Sequence, residues 1–402
     1  MAKSRVDNVL LLMIILLMVF GLIMIASIGV AESIGVTNKA KILYPSCSDT
    51  GIDCYFFLKK HVRFLLLGIV AFFFAFKIDY RLWKKISLIG FVGSVAALCV
   101  VLLVGTKYTT NAQSWFVIGS TSIQPIEFAK LALVFYLAAW MEKKNTDLAT
   151  FRKGFIPFCI ISGLMILPIL KQPDLGGAMV VAGLATAMFF SAGARLRDLA
   201  LGVLLTALIG VISLSFSTRL EKRVMAFLTP DKTCHEDYCW QSLQANIAIG
   251  SGGFWGKGLT QGVQKSYWLP EASNDFIFAA SAEELGFLKI IFLVILYGVI
   301  AYRGYVIAMN APNRFAMLMA VGITSWITLQ AFINIAVNLS LMPITGITLP
   351  LVSYGGSSML SIMIASGILL QISKNTSDYA PSFQRRGNRR TYYSKHSSYS
   401  GV

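Results

Sequence analysis

Charge is scarce in this chain. Only 13% of its 402 residues are Asp, Glu, Lys or Arg, and just 19 are acidic. A soluble domain of this length could not hide the accompanying 56% of hydrophobic residues, which excludes a water-soluble globular fold. Histidine is scarcer still: His61, His235 and His396 lie far apart, and no standard metal-ligand spacing surrounds any of them. A nucleotide loop is also missing. The glycine-rich run Gly250 to Gly258 places Ser251 where a Walker motif needs its first glycine, and Gly258 where it needs Ser or Thr after Lys257.

What the chain has instead is apolar length, with a mean hydropathy of +0.68. Runs of about 17–25 apolar residues suit a bilayer-spanning helix. They predict an all-α polytopic membrane protein with about ten transmembrane helices, near 9–30, 62–80, 86–104, 127–141, 155–170, 175–193, 199–216, 287–302, 315–338 and 357–373. The first run, Val9 to Val30, exceeds the roughly 7–15 residues of a signal-peptide core, so it reads as an uncleaved span. The net charge of +16 is spread between these segments, which fits the positive-inside rule and anionic lipid and argues against nucleic acid. With the N-terminus inside, 20 of the 35 Lys and Arg residues fall on the inner side, so both termini are expected in the cytoplasm.

The organisation expected is one transmembrane domain, residues 1–373, followed by a disordered basic cytoplasmic tail, residues 374–402. The tail reads either as an orienting charge near anionic lipid or as a docking segment. The outer side receives a long region at 217–286, and a connection of about 70 residues signals function. Within it, Arg219 to Leu228 mixes basic and apolar residues as an interfacial helix would. Cys99 and Cys159 fall in spans as small packing residues. Cys47 and Cys54 share one outer loop, and Cys234 and Cys239 another. Two intra-loop disulfides are the simplest reading in an oxidising compartment, with free thiols or a metal site around Cys234 to Cys239 as alternatives.

Ionisable residues at membrane depth are costly and tend to be functional. Glu127 and Lys130 share a helix face, and Lys171 and Asp174 flank a tight turn. Arg219, Lys222 and Arg223 follow the seventh span. Asp275 lies in the stretch Trp268 to Phe287, where Ser273 or Asn274 could cap a helix with Asp275 in its first turn. A carboxylate beside the apolar run Phe276 to Ala280 has a tunable pKa suited to general-base work, and it could equally just favour a helix dipole. The pairs could likewise be self-neutralising packing contacts. Together they place cations and carboxylates at one membrane face, which suits an amphiphile with a lipid tail and an anionic head. The last outer loop, Met342 to Ser358, is broken by Pro343, Pro350, Gly346, Gly355 and Gly356. It offers Ser353, Tyr354, Ser357 and Ser358 as hydrogen-bonding groups, or serves as a helix cap.

Four segments resemble the SEDS family (shape, elongation, division and sporulation): Gln124 to Lys130, Lys171 to Gly176, Leu269 to Phe278, and Leu349 to Ser358. In this order on ten spans, they resemble its peptidoglycan glycosyltransferases, from about residue 9 to 373. The resemblance implies polymerisation of lipid II into β-1,4 glycan strands at the outer leaflet of the bacterial inner membrane, with release of undecaprenyl diphosphate. It implies Asp275 as the general base that deprotonates the acceptor hydroxyl. It also points to Glu127, Lys130 and Asp174 as cavity-lining positions and to Glu271 as the Glu of the family's Leu-Pro-Glu motif, both sets candidates for substrate binding, and Ser353 and Ser357 fall within its last motif. Lys130, Lys171 and Arg223 are further candidates for holding the diphosphate. Gln264-Lys265 and Thr348 favour the division branch, FtsW-like, with septal localisation, while Ala282 is closer to the elongation branch, RodA-like. A class B penicillin-binding protein and other division proteins are the partners implied. No cofactor is required by the sequence, although Asp275 and a substrate diphosphate could share a divalent Mg or Mn ion. Ser273-Asn274 replaces the His-Thr common in the family, Ile126 replaces a Ser, and Asn111 to Trp115 lacks the family's arginine. A lipid II flippase and a division scaffold are the competing readings.

Overall fold

A computed structural model describes residues 6–39, 41–42, 45–107, 113–119, 121–144, 147–229 and 237–375. Each of the ten expected spans is a helix: α1 Asn8–Thr37, α2 Phe56–Lys77, α3 Tyr80–Val104, α4 Pro125–Lys143, α5 Ile156–Lys171, α6 Leu175–Ser191, α7 Leu196–Ser215, α11 Phe287–Met309, α12 Arg314–Asn338 and α13 Gly356–Lys374. Counting the π-turn Phe151–Phe155 with α5, seven of these are long and apolar enough to cross a membrane, and α6 is a shorter apolar helix. This is an all-α, multi-pass membrane protein. The charges of α2 (Lys59, Lys60, Arg63) and α4 (Glu127, Lys130, Glu142) set those two helices apart.

Burial grades sharply across the bundle. Within α13, 83% of the apolar window is buried inside the protein, whereas in α7 the share is 6%, so α7 turns nearly all its surface outward. Helix α12 runs through the centre against α4, α6 and α11, with Trp326 fully buried. Small residues permit the close approaches that hold helices together in lipid. A Cβ on Gly322 would stand 2.8 Å from Val134 Cγ1, and one on Gly21 would stand 2.8 Å from Val352 Cα. At one end of the bundle, Arg303 grips Asp7 through Nε (2.9 Å) and Nη2 (2.6 Å), and the Asp7 N–H donates to Ser373 Oγ. The start of α1 and the end of α13 therefore meet at the same end.

The other end carries the irregular structure. The 105–126 connection contains an antiparallel sheet of β1 Thr106–Lys107, β2 Gln113–Ile118 and β3 Thr121–Ile123, with Phe116 opposite Ile123. Among its described residues, the long 217–286 region holds three helices: α8 Thr218–Leu228, α9 Asp237–Gly252 and α10 Ile277–Leu285. A helix, α8, stands where one was expected from Arg219 to Leu228. Glycine-rich residues 252–262 wrap the end of α10, where a Cβ on Gly252 or Gly256 would collide with the carbonyls of Ala282 or Glu284. The wrap feeds backbone N–H groups to two buried carboxylates: Val263 and Gln264 donate to Glu283 (both 3.0 Å), and Thr260 donates to Glu284 (3.1 Å). Cys47 and Cys54 form a disulfide, and Cys239 is disulfide-bonded, while Cys234 lies outside the described residues. Cys99 is exposed on α3 and so does not pack inside the bundle, whereas Cys159 is half-buried. The tail beyond residue 375 also lies outside the described residues.

Candidate active site

The turn before α10 is held from three sides. Asp275's carbonyl accepts from the amide nitrogens of Asn334 (2.8 Å) and Asn338 (2.9 Å) on α12. Asn274's carbonyl accepts from Ser353 Oγ (2.6 Å), and Ser273's carbonyl from the Tyr354 N–H (3.0 Å), both just ahead of α13. Ser273 in turn donates through its N–H (3.1 Å) and its hydroxyl to Glu32 on α1. These contacts correct the expected cap. Helix α10 begins at Ile277 with Phe276 at its N-cap, so Asp275 precedes the helix and is not in its first turn. Ser273 cannot cap because its hydroxyl goes to Glu32, and Asn274 turns its amide to Glu271. Glu271 itself has φ +55°, a left-handed conformation uncommon for a residue with a Cβ.

Across from this turn runs the 342–350 segment, which lies on the start of α6. Gly176 and Gly177 make room for it: a Cβ on Gly176 would strike Ile347 at 2.5 Å. Asp174 caps α6 by accepting from the Gly177 N–H at 2.7 Å. Gly346 adopts φ +78°, and the point where its Cβ would stand lies 3.6 Å from Asp275 Oδ2 and 3.7 Å from Arg223 Nη2. Carboxylate and guanidinium thus both approach the same bare glycine. Arg223 is buried on α8 and donates through Nη1 to the Thr345 carbonyl (3.2 Å).

Burial raises the Asp275 pKa to about 7; Glu271 is the next contributor, and Asp174 and Glu32 add to it, while Arg223 pulls the other way. Its side chain still reaches a partly open surface. Asp174 is also raised, by burial first, with Lys130 and Arg223 opposing. A carboxylate that takes up or gives away a proton near neutrality, with a fixed cation at hand, can accept a hydroxyl proton while negative charge develops nearby.

Glu127 and Lys130 form a 2.8 Å ion pair in which Lys130 is 1% exposed. Lys130 also donates to Gln330 Oε1 (2.7 Å), and Gln330 reaches the Thr348 carbonyl (3.0 Å), which ties the pair to the 342–350 segment. Ser361 donates to Glu127 Oε2. Ser353 and Ser357 act on backbone: Ser353 Oγ also accepts from the Leu349 N–H, and Ser357 Oγ from the Gln124 N–H. Lys171 is exposed at the end of α5. Asp174, Arg223, Glu271 and Asp275 therefore gather in one recess, with Glu127 and Lys130 linked to it through Gln330. Among the described residues, no group of three His, Cys, Asp or Glu is placed to hold a metal ion.

Sequence reasoning passed over Glu32, Gln330, Asn334 and Asn338. The last three had a readable signal, since polar amides four residues apart on an otherwise apolar span share one face.

Known proteins match this chain along nearly its whole length. A family model for FtsW, RodA and SpoVE, described as "Cell cycle protein", matches residues 7–378. Stage V sporulation protein E of Bacillus subtilis (strain 168) is 38% identical over 378 residues, covering 92% of this chain and 98% of that one. The probable peptidoglycan glycosyltransferase FtsW of Geobacter sp. (strain M18) is 35% identical over 371 residues, covering 91% and 96%. Among solved structures, a chain described under "Structural coordination of polymerization and crosslinking by a peptidoglycan synthase complex" aligns with a TM-score of 0.73 at 25% identity, covering 92% and 98%. RodA of Thermus thermophilus shares the fold, with a TM-score of 0.66 at 24% identity and the same coverage. With a family model spanning 7–378 and relatives above one-third identity, the chain belongs to the FtsW/RodA/SpoVE family of cell cycle proteins.

Proposed function

We propose that this protein is a peptidoglycan glycosyltransferase of septal wall synthesis, which polymerises lipid II and releases undecaprenyl diphosphate, with Asp275 as general base. The observation that carries the catalytic assignment is the approach of both Asp275 and Arg223 to Gly346, with the Asp275 pKa raised to about 7. Deprotonated Asp275 takes the proton of the acceptor sugar hydroxyl as its oxygen bonds to the donor's anomeric carbon. The bond from that carbon to the diphosphate breaks, and the diphosphate leaves with the electron pair. Inversion of an α-linked donor yields the β-1,4 linkage. Arg223 is the cation best situated for the leaving diphosphate. Lys130 is engaged by Glu127 and Gln330, so its charge acts on the site at one remove. Glu127, Asp174 and Glu271 shape the field around Asp275, and Ser353 and Ser357 fix the backbone around the recess.

In this reading all ten helices span the inner membrane, both termini face the cytoplasm, and residues 217–286 lie outside. The contact between Asp7 and Ser373 at one bundle end supports that arrangement. Residues 1–373 form the membrane domain and 374–402 a basic cytoplasmic tail. A crosslinking partner of the class B penicillin-binding type completes the machine. The likeness to a chain of a peptidoglycan synthase complex that coordinates polymerization and crosslinking supports that pairing.

The test is lipid II polymerisation by the purified protein with its cognate class B partner, wild type against Asp275→Asn. The variant must fold and bind that partner. Glycan strands from wild type alone are expected. Equal strands from both would remove Asp275 as the base, and strands from neither would favour a lipid II flippase, to be followed by a translocation assay.

A further inference from the structure

Of the side chains that reach the Ser273–Asp275 turn from the helices and segments around it, Glu32 is the ionisable one, and it comes from the far end of the chain. Glu32 lies 241 positions before Ser273, near the outer end of the first span. A carboxylate at the end of so apolar a helix is costly unless it has work to do. Both of its oxygens go to the same residue, Oε1 to the Ser273 N–H and Oε2 to the Ser273 hydroxyl. The other holds are neutral: Asn334 and Asn338 on α12, and Ser353 and the Tyr354 N–H ahead of α13. Glu32 therefore anchors the turn mechanically and also sets a negative charge within reach of Asp275.

We propose that Glu32 is a positioning residue for Asp275, fixing the Ser273 turn from the first helix and placing a like charge beside the catalytic carboxylate. The inference rests on the reading of Asp275 as general base. The charged groups that act on Asp275 are Glu271 in its own turn, Asp174 at the start of α6, Glu32 on α1 and Arg223 on α8. Three raise its pKa and Arg223 lowers it, so removing Glu32's charge shifts Asp275 downward.

The experiment measures kcat and KM for lipid II against pH, with melting midpoints, on the complex with its class B partner. The variants are Glu32→Gln, Glu32→Ala, Ser273→Ala and Asp275→Asn. Glu32→Ala is expected to lower kcat on the order of tenfold with little change in KM, because a misaimed base costs turnover more than binding. Glu32→Gln, which keeps one acceptor and loses the charge, moves the acid limb of the profile to lower pH. Ser273→Ala lowers kcat while leaving the acid limb in place. Wild-type kcat and pH profile in both Glu32 variants would overturn the positioning role, provided Asp275→Asn is inactive. An active Asp275→Asn would instead bring down the base assignment, and this inference with it. Activity lost only in proportion to folded protein, with the acid limb unmoved, would also overturn it. Should neither Glu32 variant fold, wild-type kcat in folded Ser273→Ala would decide against the proposal.

Discussion

Asp275 and the pair Glu283 and Glu284 lie within ten residues of each other and are treated in opposite ways. Glu283 and Glu284 are fully buried, and each is given its own lysine: Lys257 at 2.7 Å from Glu283 and Lys265 at 2.5 Å from Glu284. Backbone N–H groups and Ser27 Oγ (2.8 Å) fill the remaining acceptor sites. Asp275 stands instead among Glu271, Asp174 and Glu32, with Arg223 as the opposing charge. Depth alone therefore does not make a carboxylate reactive. The first pair is balanced and holds the outer region to α1, whereas the second group carries an excess of negative charge that leaves one proton loosely settled near neutrality.

The contrast breaks most visibly on activity. Asp275→Asn should cut glycan synthesis by about 10²–10⁴-fold, the usual weight of a general base, while its melting midpoint holds or rises because a crowded like charge has gone. Equal loss of fold and activity would erase the distinction between the two groups. Glu284→Gln should do the reverse. It strands Lys265 in a buried place and should cost about 3–5 kcal/mol of stability, read as a fall in melting midpoint, with folded molecules still active. A wild-type midpoint there would show that the pair is not the clasp described here.

The pH dependence sharpens the comparison further. The acid limb of kcat/KM should fall near the Asp275 value of about 7, with activity rising as pH rises through it and the carboxylate loses its proton. Stability runs the other way. Asp275 has a folded pKa raised above 3.8, so its contribution is fully present below that value and is lost as pH rises toward about 7. In Asp275→Asn that part of the pH dependence of melting should vanish. The smallest effect is expected from Gly346→Ala. The left-handed φ of +78° adds about 1–2 kcal/mol of strain for a residue with a Cβ. The methyl group would also sit 3.6 Å from Asp275 Oδ2, so kcat/KM should drop severalfold, and an unchanged value would show that the space over Gly346 is not used.

The membrane helices were legible because bilayer thickness imposes a length and composition on each, and every expected span has its helix. The outer region was far less so. Helix α9 mixes Trp, Gln, Ser and glycine without a clean period, and it is settled by packing on α10, a partner some 25 residues later that local pattern cannot reveal. The same limit hid the clasp on Glu283 and Glu284, whose lysines come from 19 to 26 residues upstream. In the site, Asp275 and Arg223 were singled out because charge near a membrane is conspicuous. Glu32 escaped because it follows the first span like any boundary residue. The assignment of Asp275 to a helical first turn failed for a related reason: Ser273 had a tertiary partner that outbid the local cap.

Ser353 and Tyr354, which secure the turn before Asp275, stand immediately ahead of the last helix, whereas Glu32 belongs to the first. A membrane protein is delivered from its N-terminus onward. The Ser273–Asp275 turn is therefore synthesised before Ser353 and Tyr354, and the fastening they give it arrives only with the final helix. A copy cut short before the last helix would lack that fastening and leave the turn unheld on that side.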